Sequence, residues 1–451
     1  MLKQKRIAIM GTGNIAGIMA QTLKKMKNIK CCAVASRDLE RAKMFAKRYG
    51  IKKAYGSYEE MVLDPKIDLV YIATPHSEHY RNMRICIENG KAVLCEKAFT
   101  ANAMQAESIL TYARERGVFV AEAMWVRYMP MIQTIRGILN SGIIGVPSML
   151  TCNLGYHIVH KERLMQPELA GGALLDLGVY TLNFASMMFG TDVVRITSSC
   201  SKAPTGVDAS DSITMTFRDG KMAVLNSTML GISDRRGIIY GTKGYMEIDN
   251  INNCKVVTVY DKEYRVIKTI KAPKQITGYE YEVMACLNAL ERGWLECFEM
   301  PHVETLRIMH IMDDLRKAWG VVYPFETEYK EDSVIENIMM DQTEGVNQDE
   351  VSVAGETVVL NKNEVPVAGE TVVLNKNEVP IAGETVVLNK NEVPVASETV
   401  VLSESVIPVA GETVVLSKNE VPVAGETVVL SKNEVPVAGE TVVLSKVETT
   451  D

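Results

Sequence analysis

The strongest constraint on the fold lies in the first 120 residues, where short apolar runs alternate with amphipathic ones. Strand-like runs fall at 6–10, 30–35, 69–74, 92–96 and 118–121, and helical periodicity at 14–25, 39–49, 58–63, 79–89 and 102–116. Parallel strands need crossovers, so this βαβ alternation predicts an α/β fold built on a doubly wound parallel sheet. Gly90 and Gly117 stand where the last two helices must stop. The first run leads straight into Gly11-Thr12-Gly13-Asn14-Ile15-Ala16. Two glycines between a strand and a helix can serve the turn alone. After the first strand of a parallel sheet, however, that turn is where backbone N–H groups and a helix N-terminus hold a dinucleotide pyrophosphate. Gly11 would allow the turn, Gly13 the close approach of backbone to phosphate, and Ala16 the tight packing of helix on strand. The stretch from Gly11 to Ile15 is therefore assigned to the cofactor.

The end of the second run decides which cofactor. An acidic residue there would bind a ribose 2′-hydroxyl, but this chain has Ser36-Arg37, with Arg41 one helical turn on. A hydroxyl and two guanidinium groups suit a 2′-phosphate, so NADP is expected rather than NAD. Asp38 is expected to cap the following helix. The third run ends in Thr74-Pro75-His76-Ser77-Glu78-His79, at the edge that opens onto a ligand crevice. Thr74, Pro75, His76 and His79 are assigned to the cofactor or substrate, with the alternative that His79 only begins a helix. The fourth run ends in Cys95-Glu96-Lys97-Ala98. A lysine at the end of a buried strand must reach water, a partner or a ligand, which places Lys97 beside the reacting carbon and Glu96 near the cofactor. A structural ion pair with Glu96 is disfavoured because adjacent strand residues point to opposite faces.

From Glu122-Ala123-Met124-Trp125-Val126-Arg127 the chain leaves this pattern, and a helix follows toward residue 141. Gly171-Gly172-Ala173-Leu174-Leu175-Asp176-Leu177-Gly178-Val179-Tyr180 then leads into a second helix. Asp176 and Tyr180 are four apart and share a helical face; a plain Tyr–Asp hydrogen bond is the alternative to a functional pair. Strand-like runs dominate at 193–201, 212–217, 221–227, 237–240, 244–248, 255–259 and 264–270, before helices at 279–292 and 303–319. An open, mainly antiparallel sheet with the Asp176–Tyr180 helix on one face is expected. The domains read as 1–122, a cofactor-binding Rossmann unit; 123–330, a substrate-binding unit; 331–352, an acidic linker; and 353–446, a repeat.

Charge divides the chain in the same place. Residues 341–451 carry 19 acidic and 6 basic side chains, whereas the first 340 carry 37 acidic and 43 basic. The mild positive balance of the larger part suits an anionic small molecule, and no basic stripe interleaved with aromatics points to nucleic acid. No apolar run approaches the roughly 18–20 residues of a membrane span, and no signal-peptide core follows Met1. The nine cysteines show no metal-ligand spacing, so free thiols in the cytoplasm, and no metal, are expected.

Together Cys95-Glu96-Lys97, the stretch from Glu122 to Arg127, and the stretch from Gly172 to Tyr180 resemble the Gfo/Idh/MocA oxidoreductases over roughly residues 6–326. Within them the similarity is to the dimeric dihydrodiol and NADP-dependent xylose dehydrogenases. The resemblance implies a Rossmann domain, a second domain whose sheet commonly forms homodimers or higher homo-oligomers, and proton chemistry on Lys97 and Tyr180 with Asp176 beside them. It also implies hydride transfer between NADP and a secondary alcohol or carbonyl of a sugar, polyol or cyclic diol. Lys97 is expected to lower the pKa of the Tyr180 phenol, which is about 10 when free, and Trp125 to form a flat wall for the substrate. Relatives place proline after the lysine; with Ala98 instead, a trans peptide bond is expected. A sensor or scaffold that binds NADP without chemistry, using its tail for contacts, is the competing reading.

The tail leaves the resemblance altogether. A 14-residue unit, Val-Ala-Gly-Glu-Thr-Val-Val-Leu-Asn/Ser-Lys-Asn-Glu-Val-Pro, starts at Val353, Val367, Ile381, Val395, Val409, Val423 and Val437, with the fourth copy diverging at Ser397 and from Glu404 to Ile407. Thr-Val-Val-Leu is strand-like, and stacked copies could bury a valine face. No copy contains an aromatic residue, most are interrupted by both Gly and Pro, and each adds negative charge, while ordering costs about 1–2 kcal/mol per residue. Disordered or transient strands and an ordered β-repeat both remain open.

Overall fold

A computed structural model describes residues 4–326 and, further on, strand segments between Val353 and Leu444. The chain divides into two units, Met1–Val334 and Ile335–Asp451.

The first unit begins with β1 (Lys5–Met10), α1 (Asn14–Lys25), β2 (Ile29–Ala35), α2 (Leu39–Tyr49), β3 (Lys53–Tyr55), α3 (Tyr58–Val62), β4 (Leu69–Ile72), α4 (His76–Glu88), β5 (Val93–Glu96), α5 (Ala103–Glu115) and β6 (Val120–Ala123). The six strands form one parallel sheet in the order β3-β2-β1-β4-β5-β6. Both faces are covered, so Ile7, Ile9, Leu69 and Ile72 are fully buried, each contributing about 1.5–3 kcal/mol of apolar transfer. Helix α1 turns Ala16, Met19, Ala20 and Leu23 to the sheet, and α2 starts on the Asp38 cap and stops at Gly50 in the left-handed region. The short β3 is absent from the sequence reading because three residues are too few to show a period. Helix α4 starts at His76, three residues earlier than predicted, because Pro75 supplies an extended N-cap.

The rest of the unit comprises α6 (Trp125–Tyr128), α7 (Pro130–Asn140), β7 (Pro147–Gly155), α8 (Glu162–Met165), a π-helical turn (Leu174–Gly178), α9 (Val179–Phe189), β8 (Val193–Lys202), β9 (Asp208–Phe217), β10 (Met222–Thr228), β11 (Gly237–Gly241), β12 (Gly244–Ile248), β13 (Val256–Asp261), β14 (Val266–Lys271), α10 (Glu280–Glu291) and α11 (His302–Trp319). Its sheet runs β14-β13-β12-β11-β7-β10-β9-β8. It is antiparallel apart from the parallel pairing of β7 with β10. Strand β7, unpredicted, occupies the middle; its alternation of buried Leu150, Cys152 and Leu154 is a period-two signal interrupted by polar residues. The stretch Pro167–Phe189 is long and apolar enough to compare with a membrane span, contrary to the composition reading. Its most apolar 18-residue window is 94% buried, so this stretch, which runs through the π-helical turn into α9, is core of the domain. All nine cysteines are free.

Two charge clusters tie the halves of this unit together. Arg127 donates to Asn183 and Glu304, both at 2.6 Å, which joins α6 to α9 and α11. Glu122 accepts from the Thr305 hydroxyl at 2.9 Å, and burial raises its pKa to about 7. The ends of the Glu122–Arg127 motif are therefore structural.

In the second unit the described strands are Val353–Leu360, Val367–Leu374, Ile381–Leu388, Val395–Leu402, Val409–Leu416, Val423–Leu430, Val437–Ala438 and Thr441–Leu444. They pair in parallel, and the paired residues stand opposite their equivalents 14 positions on, as Val353 with Val367 and Thr371 with Thr385. The linker read at 331–352 lies outside the described residues.

Candidate active site

A cleft of about 810 Å³ runs along the C-terminal ends of β1, β2, β4 and β5 and reaches residues of the second domain. At one end is the glycine turn. Gly11 has φ of +104°, and a Cβ there would stand 2.7 Å from the Ala73 carbonyl oxygen, so only glycine fits. At Gly13 a Cβ would meet nothing within 4 Å, which leaves bare backbone facing the cleft at the start of α1. Thr12, Asn14 and Ile15 line the same concavity. Backbone N–H groups at a helix N-terminus, unobstructed by a side chain, fit a dinucleotide pyrophosphate.

Beyond β2, Ser36, Arg37 and Arg41 line the wall. The Arg37 side chain is 73% exposed and has one loose ionic contact, Glu78 at 4.0 Å. The Asp38 carboxylate accepts from the Glu40 and Arg41 N–H groups at 2.9 and 3.2 Å, so it caps α2 as expected. Thr74, Pro75 and His76 continue the lining. The His76 Nδ1 lies 2.9 Å from the Ala170 carbonyl oxygen, and burial lowers its pKa to about 3. His79 does not reach the cleft. It is fully buried with Nδ1 and Nε2 at 2.8 and 2.9 Å from the carbonyl oxygens of Ala98 and Thr74, and burial lowers its pKa to about 4. It braces the ends of β4 and β5 from behind, because the start of α4 turns that side of the helix to the sheet.

At the other end the two domains meet. Lys97, just beyond β5, donates from Nζ to the Asp176 carbonyl oxygen at 2.7 Å and to Asp176 Oδ1 at 3.1 Å. Arg163, on α8, donates to the same Oδ1 at 3.1 Å. Burial opposes ionisation of Asp176, but the charges of Lys97 and Arg163 outweigh it and hold the carboxyl well below the usual range. The Asp176 Oδ2 accepts no hydrogen bond among the described residues. Asp176 comes from the π-helical turn, whose position is set by Asp208: its Oδ2 accepts from the Leu174 N–H at 2.5 Å. Gly172, with φ of +118°, makes room for that carboxylate, which a Cβ would strike.

Tyr180 follows on α9, and Lys97 Nζ sits 4.8 Å from the centre of its ring. The sequence expectation for this phenol fails. Burial, then the nearby Tyr279, Glu96 and Asp176, push its pKa well above 10, while the lysine faces the ring and spends hydrogen bonds on Asp176. Glu96 lines the cleft and accepts a short hydrogen bond from the buried Tyr71 hydroxyl; burial raises its pKa too. The Lys97–Ala98 peptide is cis, not trans as expected from Ala98, and the Ala98 carbonyl is the one facing His79.

Trp125 stands one layer behind the cleft surface. Tyr279 stacks flat on it, centroids 4.3 Å apart and 6° from parallel, and it is Tyr279 that lines the cleft. Tyr156, Arg163, Asn252 and Tyr279 were not predicted. They come from the end of β7, the turn at α8, the loop after β12 and the residue before α10, and such loop ends carry no periodic signal.

Residues 5–124 match the profile of an oxidoreductase family with an NAD-binding Rossmann fold, and residues 132–247 that of the GFO/IDH/MocA C-terminal domain. The trans-1,2-dihydrobenzene-1,2-diol dehydrogenase of Xenopus tropicalis is 35% identical over 299 residues, which is 65% of this chain and 90% of that protein. The Homo sapiens enzyme of that name is 33% identical over 310 residues, 67% of this chain and 92% of that one. Among solved structures, a 3-ketoreductase from Actinomadura kijaniata in complex with NADP and TDP-benzene superposes with a TM-score of 0.64 at 23% identity, covering 70% of this chain and 98% of that chain. An aldose-aldose oxidoreductase from Caulobacter crescentus gives 0.63 at 20% identity, covering 70% and 97%. The chain thus belongs to the GFO/IDH/MocA family of oxidoreductases.

Proposed function

We propose that the protein is an NADP-dependent dehydrogenase acting on a secondary alcohol, or the matching carbonyl, of a sugar, polyol or cyclic diol. One observation carries this reading: Lys97 from the Rossmann domain and Asp176 and Tyr180 from the second domain converge at the end of the cleft that begins at Gly11 and Gly13. The cofactor, when bound, supplies or accepts the hydride. Ser36, Arg37 and Arg41 favour a 2′-phosphate over a bare ribose, since Arg37 is almost unpaired and Asp38 is committed to its cap. A phenol that retains its proton is a general acid, so Tyr180 gives that proton to the developing alkoxide during carbonyl reduction. In alcohol oxidation the same proton must first leave, which makes that direction favour alkaline conditions. The Lys97 ammonium polarises the substrate oxygen, and Asp176 Oδ2 accepts from a neighbouring hydroxyl while Oδ1 holds Lys97 and Arg163. The outer face of the second sheet, with Met149, Met222 and Tyr240 exposed, is the surface we assign to a homodimer or higher homo-oligomer.

The test is absorbance at 340 nm with NADP and a panel of pentoses, hexoses, anhydrosugars and trans-cyclohexane-1,2-diol. Turnover of at least one, with NADP preferred to NAD, is expected. Tight NADP binding with no turnover across the panel, in both directions, would favour the sensor reading instead.

A further inference from the structure

We propose that Tyr156 and Asn252 read a substrate hydroxyl beyond the reacting carbon and its neighbour, and so select polyhydroxylated substrates over cyclic diols that have no further hydroxyl. The inference rests on the oxidoreductase reading above and concerns a part of the cleft wall that Lys97 and Asp176 also line.

The wall is fixed by a chain of directional hydrogen bonds. The Trp125 indole N–H is only a donor, and it lies 3.1 Å from Asn252 Oδ1. That contact sets the amide orientation, so Asn252 presents Nδ2 to the Tyr156 hydroxyl at 3.2 Å. Arg235 also donates to the Tyr156 oxygen, at 3.4 Å, with its guanidinium 5.4 Å from the ring centre. A phenol oxygen has two lone pairs and one proton. Both lone pairs of Tyr156 face donors, and no acceptor among the described residues takes its proton. On the cleft wall, that O–H can satisfy itself only on water or on a ligand oxygen. The second Nδ2 hydrogen of Asn252 is in the same position. Its loop is held in turn, since the Asn252 and Asn253 N–H groups donate to Asn250 Oδ1 at 2.9 and 3.3 Å.

Tyr279, backed by Trp125, adds an aromatic surface beside these two donors. A flat apolar ring with fixed donors at its edge matches the C–H face and hydroxyl rim of a sugar. A cyclic diol would cover the ring but leave the donors without partners, and a site built to bond a hydroxyl discriminates strongly against a ligand that lacks it.

The experiment uses the full chain with NADP, D-xylose and D-glucose as polyhydroxylated substrates, and trans-cyclohexane-1,2-diol as the diol. Wild type should prefer a sugar in kcat/KM. Tyr156→Phe and Asn252→Leu should each lower the sugar-to-diol ratio tenfold or more, carried by the sugar KM more than by kcat. An NADPH-binding titration matching wild type shows that each variant is folded. A ratio unchanged in both folded variants, or a wild type that prefers the diol, overturns the proposal. Failure to turn over any of the substrates would overturn the oxidoreductase reading and this inference with it.

Discussion

Replacing Asp176 by Asn tests the centre of the site, because one carboxylate there serves two cations. Lys97 and Arg163 both lie 3.1 Å from its Oδ1, and at that distance an effective dielectric near 20 gives about 5 kcal/mol of attraction per pair. Desolvation of each ion costs several kcal/mol in return, so the net worth of the cluster is far smaller. The Arg163 side chain is 39% exposed, and screening reduces its share to about 1 kcal/mol or less. The Lys97 side chain is only 11% exposed, and loss of its counter-charge leaves a cation in the interior. Breaking such a pair from one side costs about 3–5 kcal/mol. Because Lys97 keeps the Asp176 backbone carbonyl at 2.7 Å, the lower end, about 3 kcal/mol, is expected at pH 7. The pH dependence has a definite sign. The folded pKa of Asp176 is depressed below its unfolded value of about 3.9, so its stabilisation is complete above that value and lost as pH falls through the folded one. The gap between wild type and Asp176→Asn should therefore be constant from pH 5 to 8 and should close only in stronger acid. Urea unfolding followed by tryptophan fluorescence measures it, since Trp125, Trp294 and Trp319 all lie in the first unit. A variant as stable as wild type at pH 7, or a gap that widens below pH 4, would refute the argument.

Four further outcomes follow. Tyr180→Phe should lower kcat/KM by about 10²–10⁴-fold with cofactor affinity retained. In wild type, alcohol oxidation should climb from pH 6 to 9 because burial holds the phenol proton on; a rate already level at pH 7 contradicts that assignment. Arg37→Ala should weaken NADP binding about tenfold or more and leave NAD nearly unaffected, as read by fluorescence titration; equal loss for both cofactors removes Arg37 from 2′-phosphate recognition. Truncation after Lys330 should leave steady-state constants unchanged, and a large fall in specific activity of a folded truncation would tie the repeat to catalysis.

Sequence alone determined the parallel sheet, the glycine turn at its first strand and the run of strands behind it, because these rest on local periodicity and on φ values that few residues can adopt. It also brought Lys97, Asp176 and Tyr180 into view, since a charged residue ending a buried strand and a polar pair in an apolar helix are anomalies within a short window. What lay beyond it was set by contacts between distant segments. His79 and Trp125 are as conspicuous in sequence as His76, yet packing turns one behind the sheet and covers the other with Tyr279. Arg163, 13 residues from Asp176, and Asn252, 96 residues from Tyr156, meet their partners only when loop ends from separate elements converge. The Tyr180 pKa was misjudged for the same reason. Lys97 is visible in the sequence, but the burial of the phenol and the Tyr279, Glu96 and Asp176 groups around it, which raise its pKa, exist only in the folded chain.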